Sequence, residues 1–249
     1  MEAQNNQSQE NNFEKNRERI GGSLDDFIIL QILSISKIGF VFKVRSKKNN
    51  EIYAMKISDL SLAQEKKVNK YYKNQTLILK QLKNENICQY YTDFVENNCL
   101  YIIMEYLDNG NLVHLKKLRL PEEKLIKIFL KCLNGLVYIH SKGIIHRNIK
   151  LDKILLDDNL NIKIIDFKMA AVSDNEKAKL FSKDEHISTQ LVNHMTKIAS
   201  GKFKAPEIDK DKYDNKIDVY SMGVVFCNLA YLTDSIPEKY EDTTYSKEL

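Results

Sequence analysis

The chain lacks several features that would assign it at once to a broad class. No apolar run approaches the ~18 residues that suggest a membrane-spanning helix, and the opening Met-Glu-Ala-Gln-Asn-Asn has no charged-then-apolar leader pattern. Membrane insertion is not expected. The expected location is the cytoplasm, including a place within a cytoskeletal or other large assembly. The four cysteines, Cys88, Cys99, Cys132 and Cys227, are scattered, with no C-x-x-C pair and no histidine at metal-ligand spacing. They read as reduced thiols, not as a disulfide framework or a zinc site. The formal charge of +4 comes without a basic stripe interleaved with aromatics. Its cations are mostly lysine and asparagine is abundant, which fits coding bias better than a nucleic-acid footprint, so no nucleic-acid partner is expected.

What is present suits a globular domain. At 249 residues, 43% hydrophobic and 29% charged, the chain is long enough for two lobes and a sizeable core. Residues 1–22 are polar, rich in Asn, Gln and Glu, and read as a tail, disordered or weakly helical around Phe13–Arg19, with Gly21-Gly22 as a hinge. From Phe27 the chain changes to short β-type runs, Phe27–Leu33, Val41–Val44 and Ile52–Ile57, divided by turns such as Lys47-Lys48-Asn49-Asn50. Leu60–Lys83 reads as a helix with Leu77, Leu79 and Leu82 on or near one face, and Tyr90–Phe94 and Leu100–Met104 read as two more strands.

After Asn109-Gly110 the pattern turns helical. Pro121, Glu122 and Glu123 suit a helix start, with apolar positions recurring to about Ile139. Lys153–Leu156 and Ile162–Ile165 read as a small hairpin. A stretch of 42 residues, Asp166 to Glu207, leads to a strongly apolar helix, Asp218–Leu232, and residues 233–249 are polar. The expected class is α+β. The divisions are a tail (1–22), a β-rich N-lobe (23–107), a helical C-lobe (108–232) and a polar tail (233–249).

Six landmarks then fall in order over about 170 residues: Tyr53-Ala54-Met55-Lys56, Leu100–Glu105, His146-Arg147-Asn148-Ile149-Lys150, Asp166-Phe167-Lys168, Ala205-Pro206-Glu207 and Asp218-Val219-Tyr220-Ser221-Met222-Gly223. In order and spacing the chain resembles the serine/threonine protein kinase family over residues 24–232, and Lys150 is what the Ser/Thr type carries. The resemblance implies a two-lobed kinase-like fold. It also implies ATP as the nucleotide and a set of residues around it. Leu33, Val41, Ala54 and Leu155 would line the adenine, with Met104 as gatekeeper and Glu105–Leu107 as hinge. Lys56 would meet the phosphates and Asp166 a magnesium ion. Leu79, Tyr90, His146 and Phe167 would stack between lobes, anchored by Asp218.

The departures from the family pattern bear on chemistry. The phosphate loop, normally G-x-G-x-x-G, reads Ser34-Ile35-Ser36-Lys37-Ile38-Gly39, so only Gly39 survives to let backbone N–H groups approach phosphate. An ordinary hairpin and a working loop both remain open. Gln75 stands where the family has the glutamate that pairs with Lys56, and can accept its hydrogen bond without supplying charge. Asn148 stands where the family has the catalytic Asp, and an amide is no comparable base. Lys153 stands where the family has the Asn that binds the second magnesium; a cation there repels a metal, which disfavours Mg²⁺ and suggests an Asp166–Lys153 ion pair in its place. Lys168 replaces the glycine after Phe167. Ser200 falls where the family's Thr touches the catalytic loop, and no switch role is expected for Thr196, Ser188 or Thr189.

The resemblance also implies further helices after Asp218–Leu232. Without them, Val224, Val225, Phe226, Leu229 and Tyr231 are expected to be partly uncovered, and the face around residues 218–232 to be a protein-partner site. A fold-back of 233–249 over that face and an incomplete gene product would account for the same pattern. Three functions follow: a pseudokinase scaffold or structural subunit, an atypical active Ser/Thr kinase, and a nucleotide-sensing module.

Overall fold

The computed structural model describes residues 14–36, 39–60, 75–115, 120–157, 159, 161–172, 201–209 and 213–231, without the side chain of Tyr231. The chain divides into two compact units, the first made of Met1–Lys83 with Cys88–Leu107 and the second of Asn84–Ile87 with Asp108–Leu249.

The first unit is an antiparallel sheet built from short β-branched and aromatic runs. Its strands are β1 (Phe27–Ser36), β2 (Gly39–Ser46), β3 (Ile52–Asp59), β4 (Tyr90–Glu96) and β5 (Cys99–Glu105), in the order β1-β2-β3-β5-β4. Asn97 and Asn98, both at positive φ (47° and 57°), make the two-residue turn between β4 and β5. Asparagine tolerates that left-handed geometry, and such a turn matches the twist of its strands. On one face of the sheet Phe27, Val44, Tyr53, Met55, Phe94, Tyr101 and Ile103 form a buried core. Residues 75–81 are helical (α2) and bury Leu79 and, just beyond them, Leu82.

Of the tail expected over 1–22, residues 1–13 lie outside the described residues, and the helix expected around Phe13–Arg19 is present but docked on the sheet, not loose. Residues 14–20 form a helix (α1) whose Ile20 is 0% exposed and belongs to the sheet core. Asn16 Nδ2 and Arg17 Nη2 donate to the carbonyls of Tyr91 and Asp93 on β4, each at 3.1 Å. Ser23 and Asp26 form a reciprocal capping box that turns the chain into β1. Gly21 is required at that bend. Its φ is 142°, and a Cβ there would lie 2.7 Å from the Asp26 Cβ and 2.8 Å from the Phe27 ring. A composition rich in Asn, Gln and Glu hid one decisive apolar residue. Ile20→Ala is expected to lower stability by ~2–5 kcal/mol, as core truncations do, read from urea unfolding; a loss under ~0.5 kcal/mol, typical of surface sites, would restore the tail reading.

The second unit opens with one helical turn, α3 (Leu112–Leu115), and then α4 (Glu122–Ser141), which starts behind Pro121 with two acidic residues in its first turn. Ile128, Cys132, Leu136 and Ile139 repeat at helical spacing and are buried. Gly135 permits close packing, since a Cβ there would lie 3.0 Å from Ile164 Cδ1. Two small antiparallel pairs follow: β6 (Ile144–Ile145) with β9 (Ala171–Val172), and β7 (Ile154–Leu156) with β8 (Ile162–Ile164). The last described element is α5 (Lys216–Tyr231), packed on α4 through Phe129 and Phe226 with ring centroids 4.0 Å apart.

The expectation that α5 is partly uncovered needs correction at three of its five residues, while Phe226 is half-buried and the side chain of Tyr231 lies outside the described ones. Val224, Val225 and Leu229 are 1%, 2% and 6% exposed, and Val219 and Tyr220 are the most exposed large apolar residues among the described side chains of α5. Family-wide reasoning about missing helices could not say which face of α5 its own neighbours cover. Leu232 and residues 233–249 lie outside the described residues, as do Thr196, Ser188, Thr189 and Ser200. No helix among the described residues is long and apolar enough to cross a membrane.

Candidate functional site: a catalytic-type loop and an ion-pair chain

In the second unit the site is organised from α5. Asp218, fully buried, accepts hydrogen bonds from the backbone N–H of His146 and of Arg147, each at 2.7 Å, and lies 3.0 Å from His140 Nε2. That grip holds Arg147 in left-handed backbone geometry, φ 63°, a conformation costly for a non-glycine residue without such support. Arg147 is itself buried, its Nε donating to Met169 O at 2.8 Å and its Nη1 to Tyr213 Oη at 2.7 Å.

His146 is neutral by geometry. Its Nε2 lies 2.9 Å from Ile165 O, which can only accept, and its Nδ1 faces the Asn148 N–H at 3.2 Å, which can only donate. Burial pushes its pKa below the ordinary histidine value, against the upward pull of Asp218. The ring packs edge-on against Phe167, centroids 4.9 Å apart. Asn148 is buried beside it, and its Oδ1 has no hydrogen-bond partner among the described residues.

Next along the loop is a chain of alternating charges. Asp152 Oδ2 lies 3.3 Å from Lys150 Nζ and 3.1 Å from Lys153 Nζ, and Lys153 Nζ lies 2.9 Å from Asp166 Oδ2. Lys168 Nζ approaches that same oxygen at 3.7 Å. Burial pulls the Lys153 ammonium downward, but Asp166 and then Asp152 outweigh it and hold its pKa above the ordinary lysine value. Lys153 is therefore a cation at neutral pH. Asp166 sits in left-handed geometry, φ 70° and ψ 62°, at the start of the turn Phe167–Met169. The charges disfavour a divalent ion at this carboxylate. Two ammonium groups already converge on Asp166 Oδ2, and a cation placed beside them would be repelled. No group of three or more His, Cys, Asp or Glu residues suited to a metal occurs among the described residues.

In the first unit the strand register gathers the nucleotide candidates. Val41 pairs with Lys56, Lys56 with Ile102, and Ala54 with Met104. Paired residues share a sheet face, and so do alternate residues of one strand. Val41, Ala54, Lys56 and Met104 thus lie on one face, opposite the core that holds Ile20. Lys56 Nζ donates to Gln75 Oε1 at 3.2 Å. Glu105 exchanges bonds with Gln89 through both its backbone and its carboxylate, and Leu107 follows, half-buried. Leu33 is exposed on β1. Leu155 belongs to the second unit, on β7, where it bridges Asn111. Gly39 has φ 155°, and a Cβ there would stand 2.1 Å from Ile57 O. Packing against β3 accounts for this glycine without reference to phosphate.

Sequence reasoning missed Asp152, Tyr213 and His140. The spacing Lys150-x-Asp152-Lys153 carried a usable signal for the first; the other two act across long sequence separations that no local pattern encodes.

A five-stranded sheet with a lysine-bearing third strand, and a helical unit whose α5 aspartate anchors a His-Arg loop, define a protein kinase domain. The family profile for the protein kinase domain matches residues 28–249. The chain belongs to the protein kinase family. It is 28% identical over 229 residues to an Aurora kinase of Saccharomyces cerevisiae, covering 90% of this chain and 58% of that protein. It is 32% identical over 184 residues to the serine/threonine-protein kinase CLA4 of Candida albicans, covering 72% of this chain and 17% of that protein. Against the serine/threonine-protein kinase PAK mbt of Drosophila melanogaster it is 30% identical over 154 residues, 61% of this chain and 22% of that protein. The chain thus spans less than two thirds of each of these relatives.

Proposed function

We propose that this protein is a kinase-fold scaffold or subunit that does not transfer phosphate. The observation that carries the reading is the Lys153–Asp166 contact at 2.9 Å. It sets a side-chain cation against the carboxylate that would otherwise hold magnesium. Asn148 adds to it: an amide in place of a positioned base forgoes a contribution of typically ~10²–10⁴-fold. The two changes bear on one step, so their effects are not simply multiplied. ATP remains a candidate ligand, bound without Mg²⁺, because Lys56 and the apolar residues of its sheet face are kept. A protein partner on the second unit would find Val219 and Tyr220 as the large exposed apolar side chains of α5.

An active but atypical Ser/Thr kinase is the second reading. It is favoured by the Lys56–Gln75 hydrogen bond and by the retention of Asp166 and Lys150. Radiolabelled ATP with generic basic protein substrates separates the two. Phosphate incorporation by the purified chain is expected to match that of Lys56→Met; incorporation clearly above that control would overturn the scaffold reading.

A further inference from the structure

Gln75, the α2 residue that accepts from Lys56 at 3.2 Å, carries no charge. A neutral acceptor holds an ammonium less strongly than a carboxylate does. Ile78, Leu79 and Leu82 are buried, but apolar contact is non-directional and does not by itself fix the rotation and slide of a helix. The sheet supplies a directional contact. Lys56 pairs with Ile102 across β3 and β5, and Ile102 pairs with Asp93 across β5 and β4, so the three stand in one row over three strands. Asp93 is on that face because β4 is irregular. Its register slips between Tyr90 and Thr92, which makes Tyr91 an extra residue and sets Tyr90 and Asp93 on the same face. Lys80 of α2 reaches this carboxylate, Nζ to Oδ1 at 3.1 Å. The same oxygen accepts from the hydroxyl of Tyr90, whose buried ring lies 6.0 Å from the Lys80 ammonium. Burial, with the Asp93 charge beside it, raises the Tyr90 pKa, so the phenol keeps its proton and donates. The main chain of Asp93 is held from α1, where Arg17 donates to its carbonyl.

We infer that Asp93 is a positioning residue: through Lys80 it latches α2 in the place where Gln75 meets Lys56. The dimensions agree. Lys80 follows Gln75 by five residues, which is ~7.5 Å along a helix and ~140° around it. The strands β3 and β4 stand two places apart in the sheet order, a separation of ~9.5 Å. The helix is therefore gripped at both ends of one row and on two of its sides, which fixes its slide and its rotation together. One contact alone would leave a pivot. The functional meaning rests on the reading of Lys56 as a phosphate contact for ATP: the latch does for α2 what a charge at position 75 would otherwise do. The Lys80 and Asp93 side chains are 31% and 21% exposed, so the effect is modest, as for other partly exposed ion pairs. It falls on α2 and Lys56, not on the whole unit.

Three measurements on the full chain test this: hydrogen exchange over residues 75–82 with β5 as the reference, the rate at which Lys56 is acylated by a small amine-reactive ester, and ATP affinity without Mg²⁺. Lys80→Met removes the latch from the helix side and leaves the Tyr90–Asp93 contact intact. It is expected to speed α2 exchange and Lys56 acylation by about threefold, to weaken ATP by a similar factor, and to leave β5 exchange unchanged. Gln75→Glu, added to Lys80→Met, gives Lys56 a charged acceptor and is expected to restore all three. The restoration is what a merely structural ion pair would not show. The inference is overturned if Lys80→Met changes neither α2 exchange nor Lys56 acylation, if β5 exchange rises as much as that of α2, or if Gln75→Glu restores nothing. A wild type that binds no ATP would remove the ligand reading, while exchange and acylation would still decide whether the latch exists.

Discussion

Replacing Lys153 with asparagine is expected to turn a protein indifferent to magnesium into one that responds to it. In the wild type, Lys153 Nζ sits 2.9 Å from Asp166 Oδ2, bridged on its other side to Asp152 at 3.1 Å. The two carboxylates keep it charged. A divalent ion at Asp166 would lie beside that ammonium, and the repulsion between the two cations opposes its binding. Asparagine removes the cation and supplies a carbonyl oxygen, a normal magnesium ligand. The measurement is calorimetric ATP binding with and without Mg²⁺, alongside the melting temperature in Mg²⁺ alone. For the wild type, the ion should change affinity less than tenfold, or ~1.4 kcal/mol; for Lys153→Asn it should raise affinity by more than that. Removing one member of a buried pair is itself destabilising, so the variant should melt lower without metal and recover with it. A wild type already strongly dependent on Mg²⁺, or a variant that ignores it, would remove the ion pair from the account of this site.

The other large effect is expected at Asp218. Its carboxylate takes two backbone N–H groups and faces the His140 ring inside a core with no access to water. Asp218→Ala leaves those donors unpaired and removes the grip that holds Arg147 in left-handed geometry. Each buried donor left without an acceptor costs ~1–3 kcal/mol, so a loss of ~3–5 kcal/mol is expected, a large share of a typical stability of ~5–15 kcal/mol. Asp218→Asn keeps one accepting oxygen and should lose about half as much. Denaturant unfolding of the three proteins measures this ladder. Near-equal stability of wild type and Asp218→Ala would mean that the loop is held by other contacts.

Much of this was legible in the sequence, for a physical reason that differs from residue to residue. The strands were readable because β-branched and aromatic runs alternate with turn residues. The boundaries of α4 were readable because Pro121 and the acidic first turn mark its start. Gln75, Asn148, Lys153 and Asp166 stood out because the chemistry of a kinase site demands particular groups at fixed spacings. The docking of α1 was not legible, since it hangs on Ile20 alone within a polar segment. Nor was the burial of Val224, Val225 and Leu229, because α5 is apolar nearly all round and its sequence does not say which sides its neighbours cover.

Gly39 bears on how such a chain drifts. Any side chain there would collide with the Ile57 carbonyl, so folding holds the position fixed whether or not a nucleotide is ever met. Positions 148 and 153 answer to chemistry first, and a fold can absorb a new side chain at either. A lineage that stopped transferring phosphate would therefore lose its motif letters unevenly, keeping those that packing also requires. The surviving letters of a decayed signature then record what the backbone could not give up, and the missing ones record what was no longer being asked of it.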